Sequence, residues 1–82
     1  MLFRSEFDDD FAMVKMYPPK SVRDMPLKES DVRRKYGITV VGVKSPGQDF
    51  TYATAETVIS NRDLIIVSGK SSQIEAFAAL GS

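Results

Sequence analysis

Asp31-Val32-Arg33-Arg34-Lys35-Tyr36-Gly37-Ile38-Thr39-Val40-Val41-Gly42-Val43-Lys44 is the stretch on which the fold of this chain turns. Its first half reads as a short helical segment. Arg33, Arg34 and Lys35 crowd the last turn, where cations complement the negative end of the helix dipole. Gly37 supplies the left-handed residue that closes a helix. The run from Ile38 to Lys44 then predicts the central strand, β-branched and apolar on both faces except at Thr39, Gly42 and Lys44. Charge therefore stands at the lip of the core, where a small anion or a partner can meet it.

Upstream, Pro26 suits a first helical position, where its missing N–H costs little. Leu27 to Tyr36 follows as one or two short helical turns, with Ser30 capping the second and Asp31 in its first turn. Phe11-Ala12-Met13-Val14-Lys15-Met16-Tyr17 predicts a first strand, with Ala12, Val14 and Met16 on one side. The other side is also mostly apolar, so both faces are expected to be covered. Pro18-Pro19 ends the strand because neither proline donates a ladder hydrogen bond. Lys20 to Met25 reads as a polar connection. Residues 1–10 mix Leu2, Phe3 and Phe7 with Glu6 and the run Asp8-Asp9-Asp10. They read as the end of a linker helix from a larger parent, an arm packed on a neighbour, or a partly ordered terminus. The acidic run reads as a solvated turn in preference to a cation site.

Downstream, Ser45-Pro46-Gly47-Gln48 has the proline and glycine of a tight turn. Phe50 to Ala53 returns as the second strand of a hairpin. Thr54 to Arg62 is irregular, with Val58 and Ile59 expected to reach the core and Asn61-Arg62-Asp63 forming a turn. Leu64-Ile65-Ile66-Val67-Ser68-Gly69 predicts another buried strand. Ser72 and Glu75 have the spacing of a capping box. The helix they open carries Ile74, Phe77 and Ala78 on one face, with Leu80 nearby. The order is βαβββα, an α+β two-layer sandwich with a mainly antiparallel four-stranded sheet, occupying residues 11–80 as one domain.

Composition narrows the function classes. In 82 residues, 11 basic and 11 acidic side chains cancel, so no global field attracts a nucleic-acid polymer. No apolar run approaches the roughly 20 residues that span a bilayer, and the amino terminus lacks a signal-peptide pattern. The chain has no cysteine and no histidine, so disulfides, thiol–imidazole catalysis and the usual zinc ligands are excluded. Ser68-Gly69-Lys70-Ser71-Ser72 resembles the end of a phosphate loop, yet an apolar strand run stands where the upstream glycine belongs; it reads as a strand-to-helix turn. No catalytic or metal site is expected, and no cofactor. The cluster Arg33-Arg34-Lys35 leaves two readings open. It is either a solvated, dipole-compensating helix end, or a place where an arginine holds a phosphate while Leu27, Val32 and Val40 seat a base.

The motifs Phe11–Lys15 with Pro18, Asp31–Lys44, Phe50–Thr54 and Asp63–Gly69, in this order and spacing, resemble a known family. It is the carboxy-terminal lobe of RCK proteins (regulators of conductance of potassium), also called the TrkA-C domain. The resemblance implies a non-enzymatic regulatory domain on the cytoplasmic side of a Trk/Ktr-type potassium transporter, reached through a preceding nucleotide-binding domain to which residues 1–10 would be the linker. It also implies a homodimer, which in some members binds cyclic di-adenosine monophosphate (cyclic di-AMP) between the two lobes and so controls potassium uptake. Carried onto this chain, the ligand-binding positions are Leu27, Asp31, Val32, Arg33, Arg34, Thr39 and Val40, together with Gln48. Arg33 would meet a phosphate, Thr39 would hydrogen-bond beside it, and the aliphatic residues would pack on the adenines. Gln48 stands where ligand-binding relatives can carry a histidine, Ala55 where they often carry a proline, and Thr39 where an asparagine can occur. Two alternative roles go with the same lobe: a dimerisation module with an empty cleft, and the regulatory lobe of a cation/proton antiporter.

Overall fold

Three parallel rows of side chains, read across the strands, place the core. In the computed structural model, residues 10–80 are described in full and 3–6 by their backbone. Strands β2 (Phe11–Met16), β5 (Leu64–Lys70) and β3 (Thr39–Lys44) lie side by side, all antiparallel. Directly opposed residues share a face, so Val14, Val67 and Val40 form one row and Met16, Ile65 and Val43 the next, with Ala12 opposite Gly69. Most of these side chains are buried, Ala12, Val14, Ile65 and Val67 almost completely.

Val40 and Val43 are three residues apart, and strict alternation would send them to opposite faces. The pairing slips between Val40 and Gly42, a β-bulge at Val41 that turns the rest of the strand so that Val43 also packs on the core. β4 (Thr51–Tyr52) pairs with β3 at Gly42 and Val43 after the Ser45–Gln48 turn, in which Gln48 N–H donates to the Ser45 carbonyl at 3.0 Å. Gly47 takes a φ of 76° there, as the second central residue of a Pro-Gly turn requires.

The other layer is helical. α1 (Leu27–Ser30) and α2 (Val32–Tyr36) form a broken pair, and α3 (Ser71–Ala79) follows β5. Ile74 and Phe77 of α3, Val32 of α2 and Leu27 of α1 cover the core rows, joined by Ile38, Ile59 and Val22. Tyr36 meets Phe77 edge to face, with ring centroids 5.3 Å apart. The predicted βαβββα order and antiparallel sandwich are what the chain forms, with a fifth strand added at one edge.

That added strand, β1 (Phe3–Glu6), pairs antiparallel with β2 from Phe3↔Lys15 to Glu6↔Ala12. The sheet order is therefore β1-β2-β5-β3-β4, so the central strand is β5 and not, as expected, the run after Gly37, which lies beside it. A linker-helix end is not what Phe3–Glu6 forms; the free edge of β2 captures it. The expectations for Leu2, Phe7, Asp8 and Asp9 lie outside the described residues.

Several local expectations are corrected. Ser30 does not cap α2; its Oγ donates back to the Leu27 carbonyl at 2.7 Å, within α1. Asp31 is not in the first turn of α2 but at the junction, in the left-handed conformation (φ 54°), with its carbonyl accepting Lys35 N–H. The expected capping box fails because α3 begins two residues early, at Ser71, whose N–H donates to the Asp10 carbonyl at 2.7 Å. Val58 points outward, 52% exposed, while its neighbour Ile59 is fully buried. The polar connection after Pro19 contains a 3₁₀ turn, Lys20–Val22, that delivers Val22 to the core. Finally, the described residues do not close over the second face of the sheet. Met13, Lys15 and Ile66 are half-buried there and Phe11 is exposed. Lys15 Nζ lies 5.8 Å from the centre of the Phe50 ring, a cation–π distance.

Candidate functional site

The charged lip anticipated at Gly37 opens onto a cleft, and its origin is the shortness of β4. Ala53 N–H still donates to the Val41 carbonyl at 3.0 Å, but beyond it the chain leaves β3. A Thr54–Thr57 turn, held by Thr57 N–H to the Thr54 carbonyl and Thr54 N–H to Thr57 Oγ1, carries it across to α1. There Lys28 N–H donates to the Ala55 carbonyl, Leu27 N–H to that of Thr57 and Asp24 N–H to that of Ile59, at 2.8–3.0 Å. The first half of β3 is thus left without a strand neighbour on that side.

The gap is a cleft of about 390 Å³. One wall is Leu27, Lys28, Asp31, Val32 and Arg33 from the broken helix pair; the floor is Ile38, Thr39 and Val40; the far wall is Ala53, Thr54 and Ala55. Leu27, Val32, Ile38 and Val40 are buried, so the lining is apolar at depth with charge at the mouth.

The left-handed Asp31 sets the geometry of that mouth. Breaking the helix there turns α2 so that Val32 enters the core while Arg33 reaches the cleft. Gly37, at φ 71°, closes α2 by donating its N–H to the Arg33 carbonyl at 3.0 Å, and the chain drops directly into β3. Three charges line the cleft, and two have partners outside it. Arg34 Nη2 and Nε both reach Asp31 Oδ2, at 2.8 and 2.9 Å. Lys28 Nζ lies 3.8 Å from Glu56 Oε2, both side chains largely exposed. Arg33 is exposed and forms no ion pair among the described residues. A guanidinium beside an apolar floor is the arrangement that takes a phosphate or carboxylate attached to a flat apolar group.

Of the eight positions carried over from the family resemblance, the fold brings together six in this cleft: Leu27, Asp31, Val32, Arg33, Thr39 and Val40. Arg34 stands outside the lining, turned to Asp31, and Gln48 lies in the exposed hairpin turn at the far end of β3. Lys28, Ile38, Ala53 and Thr54 complete the lining without having been expected, together with Ala55, the position where ligand-binding relatives often carry a proline. Lys28 and Ile38 adjoin expected positions. Residues 53–55 carry no local signal, because only the backbone hydrogen bonds to α1 place them there.

With this architecture the chain takes its place among known domains. The family model of the TrkA-C domain matches residues 11–80, and the chain belongs to that family. Solved structures share its fold. The crystal structure of the GsuK RCK domain aligns with a TM-score of 0.73 at 23% identity, over 96% of this chain and 18% of that one. The GsuK channel bound to NAD aligns at 0.75 and 21% identity, over 100% of this chain and 15% of that one. The chain therefore spans less than a fifth of the length of the solved chains it resembles. None of the curated proteins matches it. No described helix is long and apolar enough to cross a membrane.

Proposed function

We propose that this chain is the ligand-sensing regulatory domain of a potassium transport system, binding a small anionic ligand in the cleft between α1–α2 and residues 53–55. Cyclic di-AMP is the candidate ligand. The observation that carries the reading is Arg33: the lining cation without an ion-pair partner among the described residues, set over an apolar floor. Its guanidinium would hold a phosphate, Thr39 would donate a hydrogen bond beside it, and Leu27, Val32 and Val40 would pack on a base. Membership of the TrkA-C family supports a regulatory rather than a catalytic role. The GsuK channel, 15% of whose chain shares this fold, is bound to NAD, which supports a phosphate-bearing ligand for regulators of this kind.

The cleft opens to solvent, and a second copy would complete it. Ligand binding across that two-fold contact would bias how the two copies sit, and the bias would pass to a transporter on whose cytoplasmic side they are held. A structural dimerisation module with an empty cleft is the second reading. It is favoured by the apolar groups left outside, among them Phe11, Phe50 and Tyr52, the last 88% exposed.

Calorimetry with cyclic di-AMP separates the two, run on the wild type and Arg33→Ala alongside sedimentation. The sensor reading expects saturable binding by the wild type and at least about a tenfold loss in Arg33→Ala, the scale of one charge-assisted contact. No heat at high micromolar ligand, with a dimer present, overturns it in favour of the structural module.

A further inference from the structure

We infer that Arg34 serves the cleft as a positioning residue that acts only through Asp31, cancelling the one carboxylate in the lining so that an anion is admitted. This rests on the reading of the cleft as an anion site. Asp31 is the acid among the lining residues, and it shares the helix-pair wall with Arg33. Left unpaired, its charge would oppose a phosphate held by Arg33. Arg34 contributes nothing to the lining, yet two of its nitrogens converge on one Asp31 oxygen, Oδ2, at 2.8 and 2.9 Å. Asp31 is fixed by the backbone, in the left-handed junction between α1 and α2. Arg34 is fixed by little besides Asp31, since its side chain is 86% exposed against 35% for the acid. The pair is therefore asymmetric. Asp31 stays at the wall whether or not Arg34 is present, whereas Arg34 is held near the cleft by Asp31.

That asymmetry makes a double-mutant cycle decisive. The variants are Arg34→Gln, Asp31→Asn and the two combined; Asn accepts a left-handed φ, so the junction is kept. Binding is read by NMR titration at low salt with two probes, inorganic pyrophosphate and cyclic di-AMP. With Asp31 present, Arg34→Gln is expected to weaken pyrophosphate binding about threefold, the scale of one nearby unit charge in a water-like dielectric. In the Asp31→Asn background, Arg34→Gln is expected to change nothing, because the arginine is already released to solvent. Arg34→Lys is expected to recover most of the lost affinity. The difference should fade near ~1 M salt, where the screening length falls to about 3 Å.

An equal loss in both backgrounds overturns the inference, because Arg34 would then act on the anion directly. No loss in either background also overturns it. If pyrophosphate binds and cyclic di-AMP does not, the cycle on pyrophosphate still decides the role of Arg34, and only the ligand assignment falls. If neither probe binds the wild type, the anion-site reading falls and this inference falls with it.

Discussion

The side-chain amide of Gln73 occupies the space a Cβ on Gly37 would need: that atom would stand 2.7 Å from both Nε2 and Oε1. Gly37 closes the helix that carries Arg33 and starts the strand that floors the cleft, while Gln73 belongs to α3, so the contact ties the last helix to the site. Gly37→Ala meets two obstacles, the left-handed φ of 71° and the amide. The backbone part costs about 1–2 kcal/mol for a residue with a Cβ; the amide is the end of an exposed, flexible side chain and can give way. Urea denaturation is expected to show a loss of that size. The combined Gly37→Ala, Gln73→Ala variant should recover only the smaller part of it, and full recovery would mean that the contact, not the backbone, sets the cost.

Phe77 is fully buried and is the largest side chain of the core. Phe77→Ala removes its ring and leaves a cavity beneath Tyr36, at a cost of about 3–5 kcal/mol. A domain of this size holds only about 4–12 kcal/mol in total, so the variant is expected to lose a large share of its stability and to melt well below the wild type by circular dichroism. Tyr36→Leu keeps the apolar cover and loses mainly the edge-to-face contact, about 0.5–1.5 kcal/mol. A melting curve should show it folded but shifted.

Asp63 is buried at the entry to β5, and its Oδ2 accepts the Ser60 N–H at 2.9 Å while its own N–H donates to the Ser60 carbonyl at 3.1 Å. This reciprocal pair shapes the Ser60–Asp63 turn and starts the central strand in register. Asp63→Ala leaves the Ser60 N–H without its partner and is expected to cost about 1–2 kcal/mol. Asp63→Asn keeps an acceptor oxygen and should lose less. Equal losses for the two in urea titrations would show that the charge, and not the hydrogen bond, matters at this turn.

The sandwich was legible because each of its three long inner strands carries its own signal. Val14, Val40, Ile65 and Val67 lie in apolar runs bounded by proline, glycine or aspartate, and Gly37 announces the end of a helix. Three features were not legible, each for a non-local reason. The bulge at Val41 has Gly42 beside it as its one local mark; only the positions of Val67 and Ile66 opposite it fix where the pairing slips. Phe3–Glu6 is too short and mixed to show a period, and it becomes a strand because β2 offers an unpaired edge. Ser30 and Ser72 both have cap-like spacing, yet Asp31 closes off the first cap by turning left-handed and Ser71 pre-empts the second by entering the helix.

The candidate site divides along the same line. Its near wall and floor are contiguous in sequence, so Asp31, Val32, Arg33, Thr39 and Val40 could be placed together from the resemblance. Its far wall is made by Ala53, Thr54 and Ala55, which only the hydrogen bonds from Leu27 and Lys28 to the returning chain bring opposite. Gln48 shows the converse. A position carried over from the resemblance lies in an exposed turn outside this chain's own lining.

Mapping backbone amide shifts of the wild-type chain on addition of cyclic di-AMP decides whether the cleft is a ligand site. The perturbed amides are expected to cluster at residues 27–33, 38–40 and 53–55, with Arg33 among the largest, and Arg33→Ala is expected to abolish the pattern. Absence of shifts at high micromolar ligand, or shifts centred on the open sheet face around Phe11, Lys15 and Phe50, would contradict it.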